Sequence, residues 1–162
     1  MALRLLLDVP DRVRSVVMSG TPGGLENRQP TESARNLTAS DDRGTSGVMA
    51  TMSRATAADP VRMQLYQAIN AFNTEFSMTN LRSLGAPESV ITEDQVAGVA
   101  QPVLFIAGAE DPLFPAELLA SYVPWFPDAR IEVVQDSGHS PYFEQPAVFN
   151  RLLQTFLDQG NG

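Results

Sequence analysis

The 162-residue chain sets 11 basic side chains, every one an arginine, against 19 acidic ones, for a formal net charge of −8. Without lysine there is no Walker-type phosphate loop and no Schiff-base amine; without cysteine, and with His139 as the sole imidazole, there is no thiolate nucleophile, no disulfide and no ordinary Cys/His zinc site. So acidic a chain is repelled by phosphate backbones and anionic lipid heads, which argues against nucleic acid and membrane as partners and favours a small neutral or apolar molecule.

The first ten residues, MALRLLLDVP, place an Arg inside the apolar run, lack a small-residue cleavage site and are followed by an acid. They do not read as a signal peptide, and no apolar run approaches the ~20 residues of a membrane span, so the expected location is the cytoplasm. Leu3, Leu6 and Leu7 have helical spacing, and Pro10 ends that helix. Residues 14–18 predict a strand, closed by Gly20-Thr21-Pro22-Gly23-Gly24. Lacking both a lysine and a following helix start, that closing stretch is a turn and no phosphate site.

Residues 25–98 change character. Thr, Ser, Asn, Asp and Arg are frequent up to Ser46, and Met and Ala follow. The block is far too long for an ordinary connection and reads as an inserted helical unit. Its best helix has Asp59 as N-cap and Pro60 in the first turn, with Leu65, Ile69, Phe72 and Phe76 on one face. Met49, Met52, Met63 and Met78 either pack the helices of this unit or line an apolar pocket. Residues 84–93 read as a loop containing Gly85 and Pro87.

Residues 102–107 form a continuous apolar run, as suits a parallel strand buried on both faces. Pro115 opens a helix carrying Leu118, Leu119, Tyr122 and Val123, which ends near Pro124 and Pro127; residues 130–134 are the next strand. Pro146 opens a last helix with a stripe of Phe149, Leu152, Leu153, Phe156 and Leu157. Alternating strands and helices predict an α/β fold with a short parallel sheet.

Two polar residues follow directly on strands. Asp111 lies in GAEDPLFP after the run at 102–107, and His139 lies in DSGHSP after the strand at 130–134. At the carboxyl ends of neighbouring parallel strands both emerge at the edge where open α/β sheets place their sites. A carboxylate there can hold the Nδ1 proton of an imidazole and leave Nε2 as a general base. Leu113 and Phe114 after the acid, and Ser140 after the base, are the candidate substrate-binding residues. Glu110 and Asp136 read as solvated or capping carboxylates. No residue set calls for a metal or an organic cofactor.

On these residues the chain resembles the α/β-hydrolase fold family from end to end. Residues 102–115 resemble that family's seventh strand and acid loop, 131–144 its eighth strand and histidine loop, and 11–17 the turn and sixth strand after its helix C. Residues 25–98 stand where the family inserts a helical cap, with the core made of 1–24 and 99–162. The resemblance implies that Asp111 is the acid and His139 the base of a Ser-Asp-His triad, in the family's chain order. It also implies that the nucleophile is absent from these residues, because Met1-Ala2-Leu3 resembles the first turns of helix C and the G-x-S-x-G elbow precedes that helix. Ser19, Ser137 and Ser140 lack an elbow and are not expected to substitute.

The function so implied is hydrolysis of an ester, amide or carbon–carbon bond in a small apolar substrate. The phrases GAEDPLFP and GHSPYFEQP lean towards carbon–carbon hydrolases and esterases. The chain alone is expected to be inactive. The alternative is a non-catalytic truncated product or an interaction module associating through an exposed sheet edge. In the family the sixth strand pairs with a fifth, so self-association or pairing with a missing amino-terminal half is expected there, with Val16, Val17 and Met18 uncovered.

Overall fold

The computed structural model describes residues 2–26, 50–72 and 89–159. Met49, Phe76, Met78, Gly85 and Pro87 therefore lie outside the described residues. Helix α1 (Ala2–Asp8) is followed by a 3-10 turn at Pro10–Arg12 and strand β1 (Val16–Ser19). Helices α2 (Arg54–Ala57), α3 (Pro60–Asn70) and α4 (Glu93–Val96) precede β2 (Val103–Gly108) and α5 (Ala116–Tyr122). A 3-10 turn at Val123–Trp125, β3 (Ala129–Val134), α6 (Pro141–Glu144) and α7 (Pro146–Gln159) complete the order. No helix among the described residues is long and apolar enough to cross a membrane.

The three strands form one parallel sheet in the order β1-β2-β3, with Val103 opposite both Val16 and Ala129. Every residue of the central β2 is buried, as its unbroken apolar run requires. Its alternation divides the core. Val103, Phe105 and Ala107 pack with Leu3 and Leu6 of α1 and Leu118, Leu119 and Tyr122 of α5, while Leu104 and Ile106 pack with Val134 of β3 and Phe156 of α7. Each fully covered side chain of this size contributes roughly 1.5–3 kcal/mol.

Three expectations change. Val16 and Met18 are buried, not uncovered, because α1 and the turn after β1 close over them; Met18 rests against the position of Gly23. Leu157 faces solvent, while Phe149 and Leu152 complete the contact of α7 with the sheet. The one-turn helices α2 and α4 have no counterpart in the sequence reading, and α4 begins at Glu93, where a loop was expected.

Leu25 and Ile91 form an isolated parallel bridge, and Leu25, Ile91, Val96 and Val99 share a core cluster with Leu3 and Phe105. Both ends of the 25–98 block thus pack with the sheet. Helix α3 starts as predicted: Asp59 Oδ1 accepts the Val61 and Arg62 N–H groups at 3.0 and 3.1 Å, with Pro60 in the first turn. Leu65, Ile69 and Phe72 are exposed.

Candidate active site

β2 delivers its last residue, Gly108, to the carboxyl edge of the sheet, and the chain turns there so that Asp111 N–H meets the Gly108 carbonyl at 3.3 Å. Asp111 then folds over its own following backbone. Its Oδ1 accepts the Leu113 N–H at 2.8 Å and the Phe114 N–H at 3.2 Å, a side-chain turn typical of Asp. The carboxylate is fully buried, and two N–H groups fix its plane. Oδ2 is left facing His139 Nδ1 at 3.0 Å.

A carboxylate only accepts, so Nδ1 is the donor and Nε2 carries the free lone pair of the neutral ring. The imidazole is partly open to solvent, 29% exposed, and the Phe114 ring lies beside it with centroids 5.8 Å apart. Gly20, just after β1, has φ of +58°, and a side chain there would stand 2.8 Å from the His139 carbonyl and 3.3 Å from Nδ1. Only glycine suits both the left-handed backbone and that approach. The carboxyl ends of β1, β2 and β3 therefore converge on the imidazole.

The sequence-predicted residues divide around this pair. Phe114 flanks the imidazole, whereas Leu113 is buried. Ser140 is buried, with its Oγ 3.3 Å from Tyr66 Oη on α3. Tyr66 also sets its ring edge-on to Phe143, centroids 4.9 Å apart, and burial raises its phenol above the ordinary value near 10. Glu110 caps, as one of its two readings had it: Oε2 accepts the Arg54 N–H at 2.8 Å. Asp136 is exposed, at φ 53°. Ser137 Oγ donates to the Gly138 carbonyl at 3.4 Å. Ser19 Oγ is buried with no hydrogen-bond partner among the described residues. Met52 is buried and Met63 half-buried. A cavity of about 90 Å³ lies at the opposite, amino ends of the strands, lined by Ser15, Val103 and Arg130 among others, and is remote from this pair.

The sequence reading missed two contributors. Residues 51–54 lie directly against the site: the Thr51 carbonyl accepts the His139 N–H at 2.8 Å, and a side chain on Gly138 would collide with Thr51 and stand 2.8 Å from the Ser53 nitrogen. Glu144 is wholly buried and accepts the N–H groups of Gly138, Ser140 and Ser53. The local signal for Glu144 was an acid four residues after Ser140, close to the spacing by which a helix's first turn reaches back to its cap. Residues 51–54 carried none.

A family model described as the alpha/beta hydrolase fold matches residues 1–146. The 2-hydroxymuconate semialdehyde hydrolase of Pseudomonas putida is 25% identical over 173 residues, which cover 99% of this chain and 59% of that protein. Among solved structures, the 2-hydroxy-6-oxo-6-phenylhexa-2,4-dienoate hydrolase of Rhodococcus sp. strain RHA1 superposes with a TM-score of 0.70 at 18% identity, covering 97% of this chain and 59% of that one. Naproxen esterase (carboxylesterase NP) of Bacillus subtilis superposes with a TM-score of 0.66 at 21% identity, covering 96% and 55%. The chain spans about three-fifths of the length of the Pseudomonas relative. With the family match over most of its residues and a parallel sheet that carries the acid and histidine loops at its carboxyl edge, this chain belongs to the α/β-hydrolase fold family.

Proposed function

We propose that these residues carry the acid and the base of a serine-type hydrolase, Asp111 and His139, and that the nucleophile comes from an elbow outside them. The observation that carries this reading is the 3.0 Å contact from His139 Nδ1 to an Asp111 carboxylate whose other oxygen is already held by two N–H groups. Asp111 fixes the tautomer, Nε2 takes the proton of the attacking hydroxyl and returns it to the leaving group, and the carboxylate stabilises the imidazolium between those steps. The substrate is small and largely apolar, bearing an ester, amide or carbon–carbon bond, and neither metal nor organic cofactor enters. The Pseudomonas relative supports the carbon–carbon branch and the Bacillus esterase the ester branch. Phe114 and Ser140 are the proposed substrate-binding residues, with Leu113 behind them, and residues 25–98 form a cap over a core of 1–24 and 99–162. The contacts of Arg62 and Tyr66 on α3 with the histidine loop support that arrangement. The cytoplasm is the proposed location.

The test uses the sole imidazole as a nitrogen-15 NMR probe. In Asp111→Asn the amide oxygen remains at the two N–H donors of Leu113 and Phe114, which turns the NH₂ group towards Nδ1. The ring must then invert its tautomer, with Nδ1 accepting and Nε2 protonated. An unchanged tautomer overturns the pairing. Alone, the chain should hydrolyse activated esters no faster than buffer, since losing a triad nucleophile costs on the order of a million-fold. A one-to-one ester burst that disappears in His139→Ala overturns the external nucleophile.

A second reading, a non-catalytic product or interaction module, is favoured by one observation: among the described residues β1 pairs only with β2. The nucleotide sequence upstream of Met1 separates the two. An in-frame G-x-S-x-G there supports the hydrolase, and a nearby stop codon supports the module.

A further inference from the structure

The mechanism above leaves Glu144 without a task, although its carboxylate is wholly buried. Oε1 accepts the N–H groups of Gly138 at 2.8 Å and Ser140 at 3.2 Å, and Oε2 accepts the Ser53 N–H at 2.7 Å. Two of these donors flank His139; the third lies 91 residues away in sequence. The intervening N–H, that of His139, goes to the Thr51 carbonyl. Three consecutive amides of the histidine loop are thus tied to Glu144 or to the segment Glu144 holds. A buried carboxylate is costly unless donors surround it, and an apolar side chain of the same shape would spare that cost but leave three amides unsatisfied. Hydrogen bonds to a carboxylate acceptor are in general stronger than those between neutral groups. From the insertion, Arg62 Nη1 donates to the Glu144 carbonyl at 3.1 Å, so α3 is tied to the same residue.

We infer that Glu144 is a positioning residue: its carboxylate locks the loop bearing His139 onto residues 51–53 and thereby aims Nδ1 at Asp111. This rests on the acid–base reading of Asp111 and His139. The contact with Asp111 has little tolerance, because a displacement of about half an ångström takes a 3.0 Å hydrogen bond to the limit of its range.

Glu144→Gln tests it. Gln retains one acceptor oxygen but points an NH₂ group at an amide donor, so it cannot serve both sides. The expected result, in folded protein, is loss of the single Nδ1-protonated imidazole signal, with amide exchange at Gly138, Ser140 and Ser53 accelerated at least about tenfold and that of β2 unchanged. A lower melting temperature with an unaltered imidazole signal would mean a purely structural role and overturns the inference. A second measurement needs no variant. In the unaltered chain the three amides should exchange through one shared opening, with protection agreeing within about threefold, and a spread beyond about a hundredfold overturns the inference. If Asp111→Asn inverts the tautomer while Glu144→Gln leaves it intact, the positioning role fails alone; if Asp111→Asn also leaves it intact, the acid–base pair itself fails.

Discussion

Tyr122 shows how far side-chain detail can run against stability in this core. Its ring is buried against Trp125 at 5.0 Å, yet no group among the described residues partners its hydroxyl, and burial pushes the phenol up. An unmet buried hydroxyl costs about 1–3 kcal/mol, so Tyr122→Phe should raise stability, by about 1 kcal/mol in denaturant unfolding; a loss of stability would show that the hydroxyl is satisfied. Gly138 predicts the reverse. A methyl group there collides with the Thr51 carbonyl, so Gly138→Ala should cost about 1–3 kcal/mol and disturb the imidazole signal of His139, and a neutral effect on both would contradict the close packing. Asp111 and His139 were legible because each is a polar group directly after an apolar strand. Glu144 was not, since an acid in a four-residue helix looks ordinary, and its burial depends on Ser53, far away in the chain.

Among the elements, β2 and α3 were the easiest to read, the first from an unbroken apolar run and the second from its Asp-Pro start. The one-turn helices α2 and α4 are too short for periodicity to register. Periodicity also says that α3 is two-faced but not which face meets the protein. In the event it is Tyr66 that turns towards the histidine loop, while Leu65 and Ile69 are exposed. Two consequences can be measured. Asp59→Ala removes both N-cap acceptances and should cost about 1 kcal/mol of stability. Burial raises the Tyr66 phenol in the folded state, so its favourable share of stability is complete below the unfolded value near 10 and is lost as pH rises through the folded one. Melting temperatures taken between about pH 8 and 11 should fall less steeply for Tyr66→Phe than for the unaltered chain, with Tyr122 supplying the remaining decline. Parallel curves would mean that Tyr66 titrates alike in both states.

For the whole molecule the parallel order β1-β2-β3 follows from strands alternating with helices, but the covering of β1 did not show in its sequence. Val16, Val17 and Met18 are apolar and consecutive, which suggested a strand stripped on both faces. Val16 and Met18 are in fact buried beneath α1 and the turn at Gly23, and Val17 packs with the cluster around Leu104. Among the described residues, what β1 leaves open is its backbone. Val16 N–H donates to the Pro102 carbonyl and Gly20 N–H to that of Ile106, so by alternation the N–H and C=O groups of Val17 and Ser19 point away from β2. The strand contains no Lys, Pro or bulge, and such an edge is a template for another strand. Self-association is therefore expected to work through main-chain pairing on a folded molecule, not through exposed apolar side chains on a failing one. Light scattering should show mass rising with concentration, while the melt remains cooperative. Val17→Pro deletes an outward N–H without removing a bond to β2, so it should hold the chain monomeric with circular dichroism preserved. A monomer at high concentration in the unaltered chain, or assembly that persists in Val17→Pro, would mean that another surface, or none, makes the contact.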